Sequence, residues 1–211
     1  MSEETKLMLS GDELTLACNA DMILTKRAVI EKTCKLFSDL IPAAQEAFTG
    51  HEVLSAAAPK ISKGENYRGF PYVIMDHPAL FEKENVFAVR TMFWWGHFIS
   101  VTLHLSGKYK MHFAEHILAN ISDPFFIVNG EKQWEHHFEE GNYCPASSLT
   151  EKDKQRISEK SFLKMALKYD LKDWNNMVNI LPEGYKQTAQ LLSANKNPDG
   201  ALAAVGVNPE P

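Results

Sequence analysis

YRGFPYVIMDHP at residues 67–78 and FAVRTMFWWGHFISVTLHL at 87–105 concentrate aromatic and β-branched side chains, the types that suit a pleated, partly buried backbone. Phe70, Tyr72 and Ile74 alternate with Pro71, Val73 and Met75, so 70–76 reads as a strand. Asp76-His77-Pro78 is expected to end it, because proline removes a ladder donor. Between Phe87 and Leu105, Phe93, Trp95, Ile99, Val101 and Leu103 fall on one alternating set, and Met92, Trp94 and Phe98 on the other. Both sets are apolar, which places this segment centrally in a sheet. Gly96 is expected to bulge or bend it, giving two strands or one long kinked strand.

Outward from this centre, 19–41 repeats Ile23, Ile30, Phe37 and Ile41 at helical spacing, and Pro42 is expected to end or kink that helix. The stretch from Ala56 to Asn66 reads as a loop. Phe125–Val128, Asn129-Gly130 and Glu131–Phe138 read as a hairpin, since Asn-Gly suits the positive φ angles of a type I′ turn. Thr150 can cap a long helix carrying Ile157, Phe162, Met165, Ala166 and Tyr169. Shorter helices are expected at Trp174–Ile180 and Tyr185–Leu192, separated by Pro182-Glu183-Gly184. The expected fold is α+β: an antiparallel or mixed sheet, with strands within 70–105 and 125–143, flanked by N-terminal and C-terminal helices. Residues 1–193 are expected to form one domain and 194–211 a mobile tail.

The 211 residues, 45% of them hydrophobic, are enough for a sizeable core. Twenty-two basic against 27 acidic residues give a formal charge of −5, which argues against broad phosphate-backbone binding and makes nucleic acid an unexpected partner. Cys18, Cys34 and Cys144 are widely spaced, without a CxxC pair, which speaks against a disulfide framework or a thiolate zinc site. The start MSEETKLMLSGDE lacks the pattern of a signal peptide, and no apolar run reaches membrane length. A cytoplasmic location without membrane contact is the expectation. No GxGxxG or GxxxxGK[ST] loop is present.

Three groups of residues carry candidate chemistry. His112-Phe113-Ala114-Glu115-His116 spells HxxEH, which on a helix spanning 109–120 sets both imidazoles one turn apart. These five residues resemble the inverted zinc-protease signature of the inverzincins, and the resemblance extends no further along the chain. It implies zinc or another divalent metal on His112 and His116, with Glu115 as general base. His136 or His137 is a candidate third ligand.

The second group is Trp134-Glu135-His136-His137-Phe138-Glu139-Glu140. On a strand, His136 would share a face with Trp134 and Phe138, while His137 would face the other way between carboxylates. The third lies in the central strands: Arg68, Arg90, His97, Thr102 and His104. Regular alternation puts Trp95 with His97, and Arg90 with His104 on the opposite face, a relation that a bulge at Gly96 would reverse. A buried arginine here needs an acid, and Asp76, Glu115 and Glu139 are the candidates.

The leading expectation is a binding or interaction module with a pocket lined by Arg68, Arg90, Trp95, His97, Trp134, His136 and His137. Its partner would be a small molecule or a protein. A metal-dependent hydrolase built on 112–116 is the rival, and a structural homo-oligomer the third reading.

Overall fold

The alternation within 67–105 resolves into a meander of three antiparallel strands, β2 (Phe70–Phe81), β3 (Val86–Trp94) and β4 (Phe98–Ser106). The computed structural model describes residues 7–50, 57–139 and 141–193. β1 (Lys60–Tyr67) joins the outer side of β2, where a loop is expected from sequence. On the other side β4 pairs with β7 (Phe162–Tyr169), which pairs with β5 (Phe126–Val128), which pairs with β6 (Tyr143–Pro145). The sheet thus has the order β1-β2-β3-β4-β7-β5-β6 with every pairing antiparallel.

The helices are α1 (Gly11–Cys18), α2 (Ala20–Ala47), α3 (Gly107–Asn120), α4 (Glu151–Glu159) and α5 (Met177–Ser193). Phe37, Leu40 and Ala44 of α2, Phe113, Ile117 and Leu118 of α3, and Leu181, Tyr185 and Ala189 of α5 bury against one face of the sheet. That face supplies Val73, Val89, Val101, Leu103 and Met165, and the whole is the main core. The α+β expectation holds, with an antiparallel sheet and helices from both ends of the chain.

Several local expectations are corrected. β2 does not stop at Asp76 but runs to Phe81, and a register shift between Asp76 and Ala79 falls where Pro78 cannot donate. At Gly96, by contrast, the expected split into two strands is found: with φ at 70° it sits in the tight turn between β3 and β4, closed by the His97 N–H donating to Trp94 O at 3.1 Å. Trp95 and His97 therefore do not share a face: the His97 ring stacks on Trp94 at 3.5 Å, while Trp95 packs edge-on to Phe93.

The Asn-Gly hairpin does not form either. Asn129 and Gly130 both donate backbone N–H to Asn142 O, so β5 finds its partner at 143–145 and residues 131–139 form an irregular loop. The long helix expected after Thr150 breaks after Glu159, and FLKMALKY becomes β7, buried from Phe162 to Leu167 because both of its faces are covered. A buried run of this kind has no period to separate strand from helix. Conversely, α2 continues through Pro42 and α5 through Pro182, because burial of the residues around each proline outweighs its local cost. The tail from 194 lies outside the described residues.

Candidate functional site

The second face of the sheet carries a different set of side chains, fixed by the same alternation. Asp76, Arg90 and Thr102 stand opposite one another across β2, β3 and β4, and His104 stands opposite Lys164 across β4 and β7. The loop 131–139 lies over them. Phe138 packs on Phe98, Phe126 and Tyr143, and Trp134 lies edge-on to His104 at 5.0 Å. The Tyr67 hydroxyl holds the loop from β1, accepting the backbone N–H groups of His136 at 2.7 Å and His137 at 3.2 Å.

Beneath the loop is a polar layer. Arg90 donates from Nε to Asp76 Oδ1 at 2.7 Å and from Nη2 to Oδ2 at 2.9 Å, a bidentate pair in which both side chains are largely buried. Its Nη1 lies 2.8 Å from His136 Nε2. Guanidinium nitrogen can only donate, so Nε2 must accept, and the neutral His136 ring carries its proton on Nδ1. That Nδ1 is buried and has no hydrogen-bond partner among the described residues. Burial, followed by the charges of Lys164 and Arg90, holds the His136 pKa well below the ordinary histidine value.

His104 is neutral for the same reasons: burial first, then Lys164 and Arg90, bring it down to about 3. Its Nε2 lies 2.9 Å from the Gln133 amide nitrogen. Lys164 is wholly buried, and its ammonium donates to Glu135 O of the covering loop. Burial, with Arg90 second, lowers its pKa to about 7. Two basic side chains and two neutral imidazoles therefore share this layer with one buried carboxylate, Asp76, already engaged by Arg90.

A cavity of about 160 Å³ opens beside the layer, lined by Tyr67, Tyr72, Ile74, Arg90, Met92, Trp134 and His136. Its size matches one six-membered ring, since a cavity of roughly 150 Å³ holds benzene. Tyr67, Tyr72 and Trp134 give it aromatic walls, and Arg90 gives it a cationic group.

The residues singled out from sequence fall into separate places. Arg90, Trp134 and His136 meet at the cavity. His137 is buried behind it, with Nε2 2.8 Å from Glu135 Oε2, and Asn142 donates to its carbonyl. The two adjacent histidines do not take opposite faces, because 131–139 is loop rather than strand. Arg68 and His97 approach Glu139 at the end of the sheet, each at 3.9 Å, away from the cavity lining. Trp95 belongs to the helix-covered side. Glu140 lies outside the described residues.

His112, Glu115 and His116 ride on the outward side of α3, whose inward side packs into the main core. His116 meets Asn120, and His112 lies against the ring of Phe113. His136 is on the opposite face of the sheet, so the structure does not bring it to His112 and His116. Among the described residues no three His, Cys, Asp or Glu side chains converge as a metal-holding group.

Lys164 is the main residue that sequence reasoning missed. Its signal was a lysine between Leu163 and Met165, in an otherwise apolar run from Phe162 to Leu167, hidden by the helical reading of 151–169. Tyr67 and Tyr72 line the cavity, although Tyr72 was read only as a strand residue and Tyr67 fell before the strand expected at 70–76. Compared with family models, curated proteins and solved structures, the chain matches none of them. No helix among the described residues is long and apolar enough to cross a membrane.

Proposed function

We propose that this chain is a binding module for a small ligand with one flat apolar ring and an anionic or strongly accepting group, held in the cavity between β1–β3 and the 131–139 loop. The observation that carries the reading is the pairing of aromatic walls with Arg90. Three of the five guanidinium N–H groups are used by Asp76 and His136, which leaves two for a ligand's acceptor. Lys164 and Arg90 together leave the layer with more positive than negative charge, which favours a carboxylate over a cation. Tyr67, Tyr72 and Trp134 supply ring contacts that hold a flat body at low entropic cost.

Benzoate and its neutral analogue benzyl alcohol are the first probes, titrated into isotopically labelled protein and read by the shifts of the Trp134 and His136 signals. Saturable shifts with benzoate, weaker with the alcohol and lost in Trp134→Ala and Tyr72→Ala variants of unchanged fold, support the reading. Absence of saturable shifts with this and other single-ring carboxylates would sink it. The hydrolase reading on 112–116 has no comparable geometric support.

A further inference from the structure

Tyr67 reaches the loop-covered face of the sheet through an irregularity in β1. Gly64 stands opposite Tyr72 and Tyr67 opposite Phe70, so three steps along β1 match two along β2. Strict alternation from Gly64 would turn Tyr67 toward the helices, and the extra residue of this bulge turns it to the cavity instead. Its neighbours then fix it there. The Trp94 indole N–H donates to Tyr67 O at 3.2 Å, and the Tyr67 ring meets Trp94 and Tyr72 edge-on, with centroids 5.2 and 6.3 Å away.

The hydroxyl oxygen accepts the backbone N–H groups of His136 at 2.7 Å and His137 at 3.2 Å, which uses its accepting capacity. What remains is the O–H itself, and none of the described residues accepts it. Glu135, the acid whose charge acts on this phenol, is already engaged by Lys132 at 3.1 Å and His137 at 2.8 Å. Burial is the largest influence on the phenol and raises its pKa, so the proton stays on at neutral pH. Two N–H groups donating to the oxygen also polarise the O–H and make it a stronger donor.

On the reading of the cavity as a site for a ring-bearing anion, we infer that Tyr67 is its specificity-determining donor, giving its O–H to the same acidic group that Arg90 holds. Both donors bond to His136, Tyr67 to its backbone and Arg90 to its ring, so one residue of the loop sets them side by side. Both also line the cavity. A carboxylate has two oxygens on one carbon and can take one donor on each, whereas an alcohol offers a single neutral oxygen. The ligand class narrows to single-ring carboxylates, and a neutral analogue of the same shape is rejected because it leaves a donor unpaired.

Tyr67→Phe keeps the ring and removes only the hydroxyl. It should bind benzoate about tenfold more weakly than wild type, the worth of one hydrogen bond to a charged group, and lose much less affinity for benzyl alcohol. A hydroxyl that merely ties down the loop would weaken both ligands by the same factor, and that result overturns the inference. A second measurement needs no variant. In wild type the Tyr67 hydroxyl proton should become a resolved, slowly exchanging NMR signal once benzoate saturates the site. A proton that goes on exchanging freely with water in the saturated complex also overturns the inference. Wild type that binds no single-ring carboxylate is a different failure, which removes the ligand reading itself and the role of Tyr67 with it.

Discussion

On the helix-covered face of the sheet, Val73, Val89, Val101, Leu103 and Met165 project into α2, α3 and α5. Their neighbours in the chain, Ile74, Arg90, Thr102, His104 and Lys164, project the other way under an irregular loop. Both faces are dry, but only one is apolar. A sheet needs one well-packed face to be stable, whereas a buried arginine, lysine and two neutral histidines each carry a desolvation cost that packing alone does not require. The contrast places the main core on the first face and is the ground for proposing ligand binding on the second.

The largest expected effect falls on the helix-covered face. Phe37 is fully buried where α2 meets the sheet, and Phe37→Ala should destabilise by about 4 kcal/mol through lost burial and the cavity left behind. Denaturant unfolding followed by circular dichroism measures it. A loss below about 1 kcal/mol would mean that α2 is a weakly held cover, and the division between the faces would fail.

Next comes Asp76, the acid that neutralises Arg90. Asp76→Ala strands a guanidinium in a largely buried site and should cost about 3 kcal/mol. The double variant Asp76→Leu, Arg90→Met should recover most of that stability, because it removes the charge along with its partner. If the double variant is as unstable as the single one, the ion pair is itself a structural element of this face.

The titratable groups separate the faces by pH. His104 has a folded pKa of about 3 against an ordinary value of 6.5, so between these limits the unfolded chain binds a proton that the folded chain does not. Its contribution to stability is complete above about pH 6.5 and is lost as pH falls toward 3. Over that window wild type should lose up to about 1.4 kcal/mol per pH unit from this side chain, and His104→Asn should flatten the slope by that amount. His136, also held well below its ordinary value, steepens the same fall. Lys164 acts at higher pH with the same sign, gaining stability as pH rises from about 7 toward its ordinary 10.5. Equal slopes in wild type and His104→Asn would refute the assignment.

The two faces were also unequally legible in the sequence. Alternation in 70–105 located β2, β3 and β4 and placed Arg90 and His104 on one side, because a period of two is a local property of the backbone. Asp76 was among the acids expected to meet Arg90, since burial leaves an arginine few alternatives. What sequence could not carry was the pairing of distant segments. Asn129-Gly130 signals a turn in isolation, yet its N–H groups bond to Asn142, twelve residues beyond Gly130, and residues 131–139 become the cover. Likewise, FLKMALKY is strand only because β4 and β5 stand on either side of it. The HxxEH pattern at 112–116 shows the converse, a strong local spacing on a helix face that tertiary structure leaves pointing outward.

The smallest stability effect is expected at Trp134, which is where the comparison is sharpest. Its ring walls the cavity and leans on His104 and Phe81, yet the side chain remains about half exposed. Truncation to alanine removes little buried area and leaves no charge unpaired, so unfolding free energy should change by less than about 1 kcal/mol. The loop would still be tied down by Tyr67, by Phe138 against Phe98 and by Lys164 at Glu135 O. Ring binding should nevertheless weaken by about tenfold, the worth of one aromatic contact. A variant that loses binding while keeping its melting curve separates the site from the scaffold. One that unfolds early would instead make the loop part of the scaffold, and the polar layer beneath it a buried network serving the fold.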